Sequence, residues 1–324
     1  MARIEFEVIR NWEKLPEGWS FVEVAGVATD SRDRVYAFNR GEHPMIVFDS
    51  DGNFLDAWGE GVFTNPHGLY IGPDDTIFAA DNFDHTVRIF DTDGNLKQTL
   101  GEKNKASDTG FIPGKSPVQY GGGPFNRVTN VALDRMGDLF VADGYGNARV
   151  HKFSNSGEYL YSWGEPGTGP GEFNLPHAIA IDADSRVYVA DRENSRIQVF
   201  DHHGAHLETW DHVTRPDDLF IDKSGILHVA ELGEIAGKPP NTEILPHTPH
   251  ASVCIMELDG SVIHRFGESD PVQPGNFFAP HGIWADSKGD LYVAEVVYSG
   301  GANRGLVPLD CHSLQKFKRI EHDA

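Results

Sequence analysis

The chain has 324 residues, enough to bury a large core as one or two domains. Hydrophobic residues make up 39%, and 35 Gly with 19 Pro suit a turn-rich globular protein. A formal charge of −22 excludes a polyphosphate partner and disfavours an anionic membrane surface, because both are bound through clustered Lys and Arg.

At the N-terminus, "MARIEFEVIRNWEKL" alternates charged and apolar residues and lacks the continuous apolar segment of a secretory signal. No apolar run in the chain reaches membrane-spanning length. Cys254 and Cys311 are the only cysteines, so no disulfide framework is implied. The expectation is a cytoplasmic protein with two reduced thiols and no nucleic-acid or membrane partner.

From residue 24 onward one unit recurs. "VAGVATDSRDRVYAFNRG…MIVFDSDGNFLDAWGE" starts at Val24, "PHGLYIGPDDTIFAADNFDHTVRIFDTDGNLKQTLGE" at Pro66 and "VTNVALDRMGDLFVADGYGNARVHKF" at Val128. "PHAIAIDADSRVYVADRENSRIQVF" follows at Pro176, "PDDLFIDKSGILHVAELGE" at Pro216 and "PHGIWADSKGDLYVAEV" at Pro280. Short alternating or apolar runs separated by Asp-Gly and Ser-Gly turns predict four antiparallel strands per unit. Units of about forty residues with four strands predict propeller blades. The last unit lacks a fourth strand, and residues 4–12 ("IEFEVIRNW") resemble the fourth strands of the others. The expectation is an all-β, six-bladed propeller over 1–324 as a single domain, its last blade closed by the N-terminal strand. This closure removes two sheet edges.

Aligned at the first strand of each unit, one position reads Ala25, His67, Thr129, His177, Asp217 and His281. In a six-membered ring, alternate blades lie 120° apart, so His67, His177 and His281 can converge on one axial point. Three imidazoles with a fourth position open suit catalytic zinc, with iron or another divalent metal as alternatives. His151, His202, His203, His206 and His228 lack this symmetry and are assigned to packing or surface. His247 and His250, in the insertion 235–250, form a weaker candidate for a second site.

Three residues follow second strands, where the chain returns to the side of the histidines: Arg40, Tyr145 and Arg192. Guanidinium groups grip a carboxylate bidentately. A phenol among cations loses its proton more readily and can serve as a general base. The acidic residues ending the second strands (Asp81, Asp143, Asp191, Glu231 and Glu295) are assigned to turn hydrogen bonds or pairing with a following Arg. Insertions at 103–126, 235–250 and 297–313 exceed turn length; the last two follow second strands and are expected to rim the mouth and shape the pocket.

The recurring "VAD…N.RI..F" resembles the NHL-repeat family. "RGEH", "PHGL", "DGYGNARV", "PHAIAI", "VADRENSRIQVF" and "PHGI", in this order, resemble peptidyl-α-hydroxyglycine α-amidating lyase over residues 24–295. The resemblance implies zinc on His67, His177 and His281, Tyr145 as base, and Arg40 and Arg192 binding substrate and offsetting charge. It implies cleavage of an N-acyl-α-hydroxyglycine into an amide and glyoxylate, and hence a small carboxylate-bearing substrate. It also implies a structural calcium on the backbone carbonyls of Val27 and Leu69 with a carboxylate after the third His. Here that residue is Gly282, so this Ca2+ site lacks its acid. Gly146 and Tyr188 stand where the family has disulfide cysteines, so secretion does not carry over. The acid for the departing nitrogen is left open between Asp217 and water. A lactonase-like metal hydrolase and a non-catalytic NHL scaffold are the rival readings.

Overall fold

The structure is a computed structural model that describes residues 4–238 and 248–320. It is all-β, with six four-stranded sheets that form the blades of a propeller. Blade 1 comprises Val24–Thr29, Val35–Asn39, Met45–Phe48 and Phe54–Trp58. Blade 2 comprises Pro66–Ile71, Ile77–Asp81, Thr86–Phe90 and Leu96–Leu100. In blade 3 the strands are Val128–Leu133, Leu139–Asp143, Arg149–Phe153 and Tyr159–Trp163; in blade 4 they are Pro176–Ile181, Val187–Asp191, Arg196–Phe200 and His206–Trp210. Blade 5 holds Pro216–Ile221, Leu227–Glu231, Ser252–Met256 and Val262–Phe266. Blade 6 holds Pro280–Ala285, Leu291–Glu295 and Leu314–Ile320. Its fourth strand is Glu5–Ile9, antiparallel to Leu314–Ile320 with Glu5 opposite Ile320 and Ile9 opposite Lys316. The N-terminal strand thus closes the last blade.

The hydrophobic pattern explains which strands are interior. First, second and third strands are largely buried, and "IFAAD", "TVRIF" and "LYVAE" are buried along their whole length. Fourth strands alternate, as in "LKQTL", and leave one face to solvent. Turns between strands are built by an Asp at the end of the preceding strand. Asp182 Oδ1, for example, accepts the backbone N–H groups of Asp184 and Arg186 at 2.9 and 2.8 Å.

The chain forms two compact units, Gly61–Leu219 and Met1–Glu60 with Phe220–Ala324. In the first, Val87, Phe125, Val131 and Val141 pack together, and a second cluster joins Phe140, Val150, Phe173, Ile179 and Phe200. In the other, Val253, Ile255, Phe277, Val293 and Phe317 form one cluster. There the segment after blade 6's second strand folds onto Ala25, Leu232 and Ala279 through Val297, Ala302 and Val307. Each large apolar side chain so buried contributes about 1.5–3 kcal/mol.

The acids that end the second strands are latches. Asp81 accepts the N–H groups of Thr64 and Asn65, Asp143 that of Asn126, Asp191 that of Asn174, and Glu295 those of Phe278 and Ala279. Each ties its own blade to the incoming linker. Charge is met by Arg88 on Asp81, Arg196 on Asp191 and Arg265 on Glu231. Cys254 and Cys311 are both free and buried, and burial pushes each thiol up to about 12. No described helix is long and apolar enough to cross a membrane. His247 lies outside the described residues.

Candidate functional site

Each of the three singled-out histidines is the second residue of a first strand, directly after a proline. In blades 1, 2, 3, 4 and 6 the ladder between first and second strands skips this position, with register shifts at Val24/Gly26, Pro66/Leu69, Val128/Asn130, Pro176/Ala178 and Pro280/Gly282. A bulge of this kind frees the side chain from the alternation of the strand and re-aims it.

The re-aimed rings all do the same thing. His67 Nδ1 lies 2.8 Å from the carbonyl oxygen of Thr129, His177 Nδ1 2.6 Å from that of Asp217, and His281 Nδ1 2.7 Å from that of Ala25. Thr129, Asp217 and Ala25 are the residues at the equivalent position of the following blade. A carbonyl only accepts, so Nδ1 carries the hydrogen and the lone pair of each neutral ring is placed on Nε2. Such an outer hydrogen bond is what orients and strengthens a metal-binding imidazole.

At two of the three sites the next residue is a glycine that the neighbouring backbone approaches closely: a Cβ at Gly68 would meet the Thr129 carbonyl oxygen at 2.3 Å, and one at Gly282 would meet Gly26 Cα at 2.9 Å. His177, followed by Ala178, makes the same ring contact at 2.6 Å, so the contact itself does not depend on glycine. The same packing leaves no room for a carboxylate at position 282, so the calcium ligand set expected with Val27 and Leu69 lacks its acidic member for a steric reason. The backbones of Val27 and Leu69 are paired in their sheets opposite Ala37 and Ala79.

His67, His177 and His281 are buried, 1%, 1% and 5% exposed. Within Gly61–Leu219 the ring centroids of His67 and His177 are 4.8 Å apart. Three neutral imidazoles, oriented from behind by carbonyls and kept from bulk water, fit a borderline divalent ion and could bind one.

Tyr145 and Arg192 stand together beside His177. The Tyr145 hydroxyl is 3.2 Å from His177 Nε2, and its ring centroid is 5.3 Å from that of His67. Arg192 opens the short 3-10 turn Arg192–Asn194 and donates from one terminal nitrogen to the Tyr145 oxygen and to Asp217 Oδ1, both at 3.1 Å. Its Nε donates to Glu193 at 3.0 Å. Burial works against the guanidinium charge, but Tyr145, Asp217 and Glu193 outweigh it and hold its pKa above the ordinary arginine value. Glu193 is shared with Arg215 at 2.8 Å.

Asp217 has a positioning part that its place in the repeat did not disclose. Its carboxylate lies 3.2 Å from His177 Nδ1 and accepts from Arg192, while its backbone carbonyl holds the same ring. Glu193 and Arg215 were not singled out in the sequence, where the alternating charges of "DREN" are an ordinary surface pattern. Arg40 follows blade 1's second strand. Its guanidinium donates to Glu23 at 2.9 Å and lies 3.5 Å from Ser299 Oγ. His151 and His228 have packing partners, Asp143 and Asp222, at 3.2 and 3.0 Å.

A family described as a 6-bladed beta-propeller matches residues 124–221. NHL repeat-containing protein 3 of Homo sapiens is 34% identical over 197 residues, covering 59% of this chain and 55% of that protein. Peptidyl-glycine alpha-amidating monooxygenase B of Xenopus laevis is 28% identical over 308 residues, 84% of this chain and 33% of that protein. Peptidyl-alpha-hydroxyglycine alpha-amidating lyase 1 of Drosophila melanogaster is 31% identical over 178 residues, 51% of this chain and 31% of that protein. This chain thus spans about half of the human relative and a third of the other two. A gluconolactonase from Xanthomonas campestris superposes with a TM-score of 0.61 at 13% identity, covering 93% of this chain and 87% of the other, a likeness of fold alone. The chain is a six-bladed β-propeller that is similar over part of its length to proteins named peptidyl-α-hydroxyglycine α-amidating lyase and NHL repeat-containing protein.

Proposed function

We propose that this protein is a metal-dependent carbon–nitrogen lyase that cleaves a small, carboxylate-bearing α-hydroxy amide into an amide and glyoxylate or a related aldehyde. The observation that carries the proposal is the Tyr145 hydroxyl 3.2 Å from Nε2 of His177, a buried ring oriented by the Asp217 carbonyl. Homologues named as amidating enzymes and lyases support the same reading.

His67, His177 and His281 would hold the ion, with zinc the best match to three imidazoles and iron or another divalent metal the alternatives. When bound, zinc supplies Lewis acidity that lowers the pKa of a substrate hydroxyl. Tyr145 takes the hydroxyl proton as general base, with its oxygen held by the N–H of Arg192. As the C–O bond becomes a carbonyl, the C–N bond breaks and its electron pair goes to the amide nitrogen. The nitrogen takes up one proton, matching the one lost by oxygen, so the products are a neutral amide and an aldehyde.

Arg192, which donates to the Tyr145 oxygen, offsets the charge of the phenolate that acts as base. The carboxylates of Asp217 and Glu193 keep that guanidinium in place, which makes them positioning residues. Asp217 already accepts from Arg192 and suits that part better than the role of acid to the leaving nitrogen. Arg40 is assigned to the substrate carboxylate. The chain is placed in the cytoplasm as one working domain, in keeping with its two free thiols.

The test combines two assays on purified protein. Elemental analysis should find close to one divalent ion per chain, and N-acyl-α-hydroxyglycines should release glyoxylate. Protein that takes up no ion and releases no glyoxylate would instead be a scaffold. An ion with lactone hydrolysis and no glyoxylate would favour a hydrolase.

A further inference from the structure

We propose that the groove beside Tyr145 is an acyl-selecting subsite for an uncharged aliphatic or aromatic acyl group on the substrate's amide side. The cavity has a volume of about 410 Å³, within the range of small-ligand pockets. Tyr145 forms part of its wall while its hydroxyl faces His177 and Arg192, which puts the groove beside the proposed reacting centre. Phe111 and Val118 come from the insertion 103–126, and Pro166, Phe173 and Leu175 from the segment joining blades 3 and 4.

The chemistry of the wall selects the occupant. None of the lining residues is charged. Asn147, the buried amide among them, is already spent: it donates to Gly123 and Asp143 and accepts from Gly122 and Ala148. Apart from Tyr145, Asn147, Thr168 and Asn174 the wall is made of apolar residues and glycine, a surface that suits the apolar contact of a hydrocarbon acyl chain.

Both rims are fixed in place. Thr109 donates to the carbonyl of Gly146 at 2.5 Å, and Asn126 donates to the Ser107 carbonyl at 2.9 Å and to Thr109 Oγ1 at 3.2 Å. Arg127 stacks over Phe111 at 5.5 Å. On the other rim, Arg196 donates to the carbonyls of Thr168, Gly169 and Glu172 at 2.7–2.9 Å. Glu165 bridges the rims by accepting from Gly121 and from Arg149. A pre-formed groove loses little ordering entropy when it binds.

The identity of the ligand as an acyl group rests on the reaction proposed above; the groove's preference for apolar groups does not. The experiment therefore has two arms. In the first, octanamide and acetamide are titrated into the wild type by calorimetry. Octanamide should bind at least about tenfold more tightly, because its extra methylenes leave water. Val118→Trp, which fills the groove, should erase the difference; Phe111→Ala, at the rim, should weaken octanamide several-fold and serves if the Trp variant does not fold. In the second arm, KM for N-octanoyl-α-hydroxyglycine should be lower than for N-acetyl-α-hydroxyglycine, and Val118→Trp should remove that ratio. Octanamide binding that depends on Val118 without glyoxylate release supports the groove and rejects the lyase. Glyoxylate release with no chain-length preference in KM or binding overturns the groove and leaves the lyase standing.

Discussion

Blades 2, 4 and 6 and blades 1, 3 and 5 use one backbone position in opposite ways. In the first set it carries His67, His177 and His281, whose rings donate. In the second it carries Thr129, Asp217 and Ala25, whose carbonyls accept. The ring contact uses only the backbone oxygen of the accepting residue, so Ala25 suffices there, while the Asp217 carboxylate has a separate part in accepting from Arg192. The bulge is therefore a property of the repeat, while chemistry enters through side chains at alternate copies. Positions that serve the fold and positions that serve the site should separate cleanly under mutation.

The largest effect is expected from breaking the trio without touching Tyr145's partners. His67→Ala leaves the Tyr145–His177 and Tyr145–Arg192 contacts in place. It should abolish stoichiometric metal uptake and lower glyoxylate release by about 10⁴-fold or more. Near-normal turnover with two histidines would show that the trio is structural.

Tyr145→Phe comes next. It removes one hydroxyl, keeps the ring against His67, and should lower kcat by about 10²–10³-fold with KM nearly unchanged. Metal content should stay at the wild-type level. Unchanged kcat would remove Tyr145 from the role of base.

The converse case is a latch. Asp81→Ala deletes the acceptor for Thr64 and Asn65 N–H and a partner of Arg88, which keeps Asp84 at 2.5 Å. Loss of about 3 kcal/mol of stability is expected from the buried donors and the guanidinium left short of acceptors. Urea unfolding measures it, and metal content of the folded fraction should not change. Loss of metal at full stability would mean that latch and site are not separate.

The fold was legible because the repeat writes the same pattern six times: short apolar-rich runs, Asp-Gly or similar turns, and a more exposed fourth strand. Blade 6's missing strand could be found at Glu5–Ile9 because its alternation matched the other fourth strands. The trio was legible as three copies of Pro-His in register. What sequence could not supply is the partner of each ring, a backbone carbonyl about forty to sixty residues away or, for His281, near the opposite end of the chain, which carries no residue-type signal. Glu193 and Arg215 escaped notice for a related reason: charged residues at a turn look solvated until burial shows otherwise. Phe111 and Val118 lie in an insertion outside the repeat, where no periodicity predicts which side chains turn inward.

His312 offers a contrast with the trio on a smaller scale. It is a histidine facing an acid, with Nε2 3.1 Å from Glu295 Oε1 and 3.1 Å from the Asn276 carbonyl. Burial disfavours its charged form, but the hydrogen bond and charge of Glu295, the Asn276 carbonyl and the nearby Glu13 outweigh burial and raise its pKa above the ordinary value of 6.5. Glu13 is itself raised, by its own burial, with the His312 charge pulling the other way. The folded protein therefore holds the His312 proton at pH values where the unfolded chain has released it. That contribution to stability is complete below about pH 6.5 and fades as pH rises through the folded-state pKa. Urea midpoints measured from pH 5.5 to 9 should fall with pH in the wild type, and less so in His312→Gln. Glu13 contributes a slope of the same sign at lower pH in both proteins, so the difference between them isolates His312. Identical pH profiles would show that the Glu295 contact does not hold the proton, and that the salt bridge at the end of blade 6's second strand is a neutral hydrogen bond like those behind the trio.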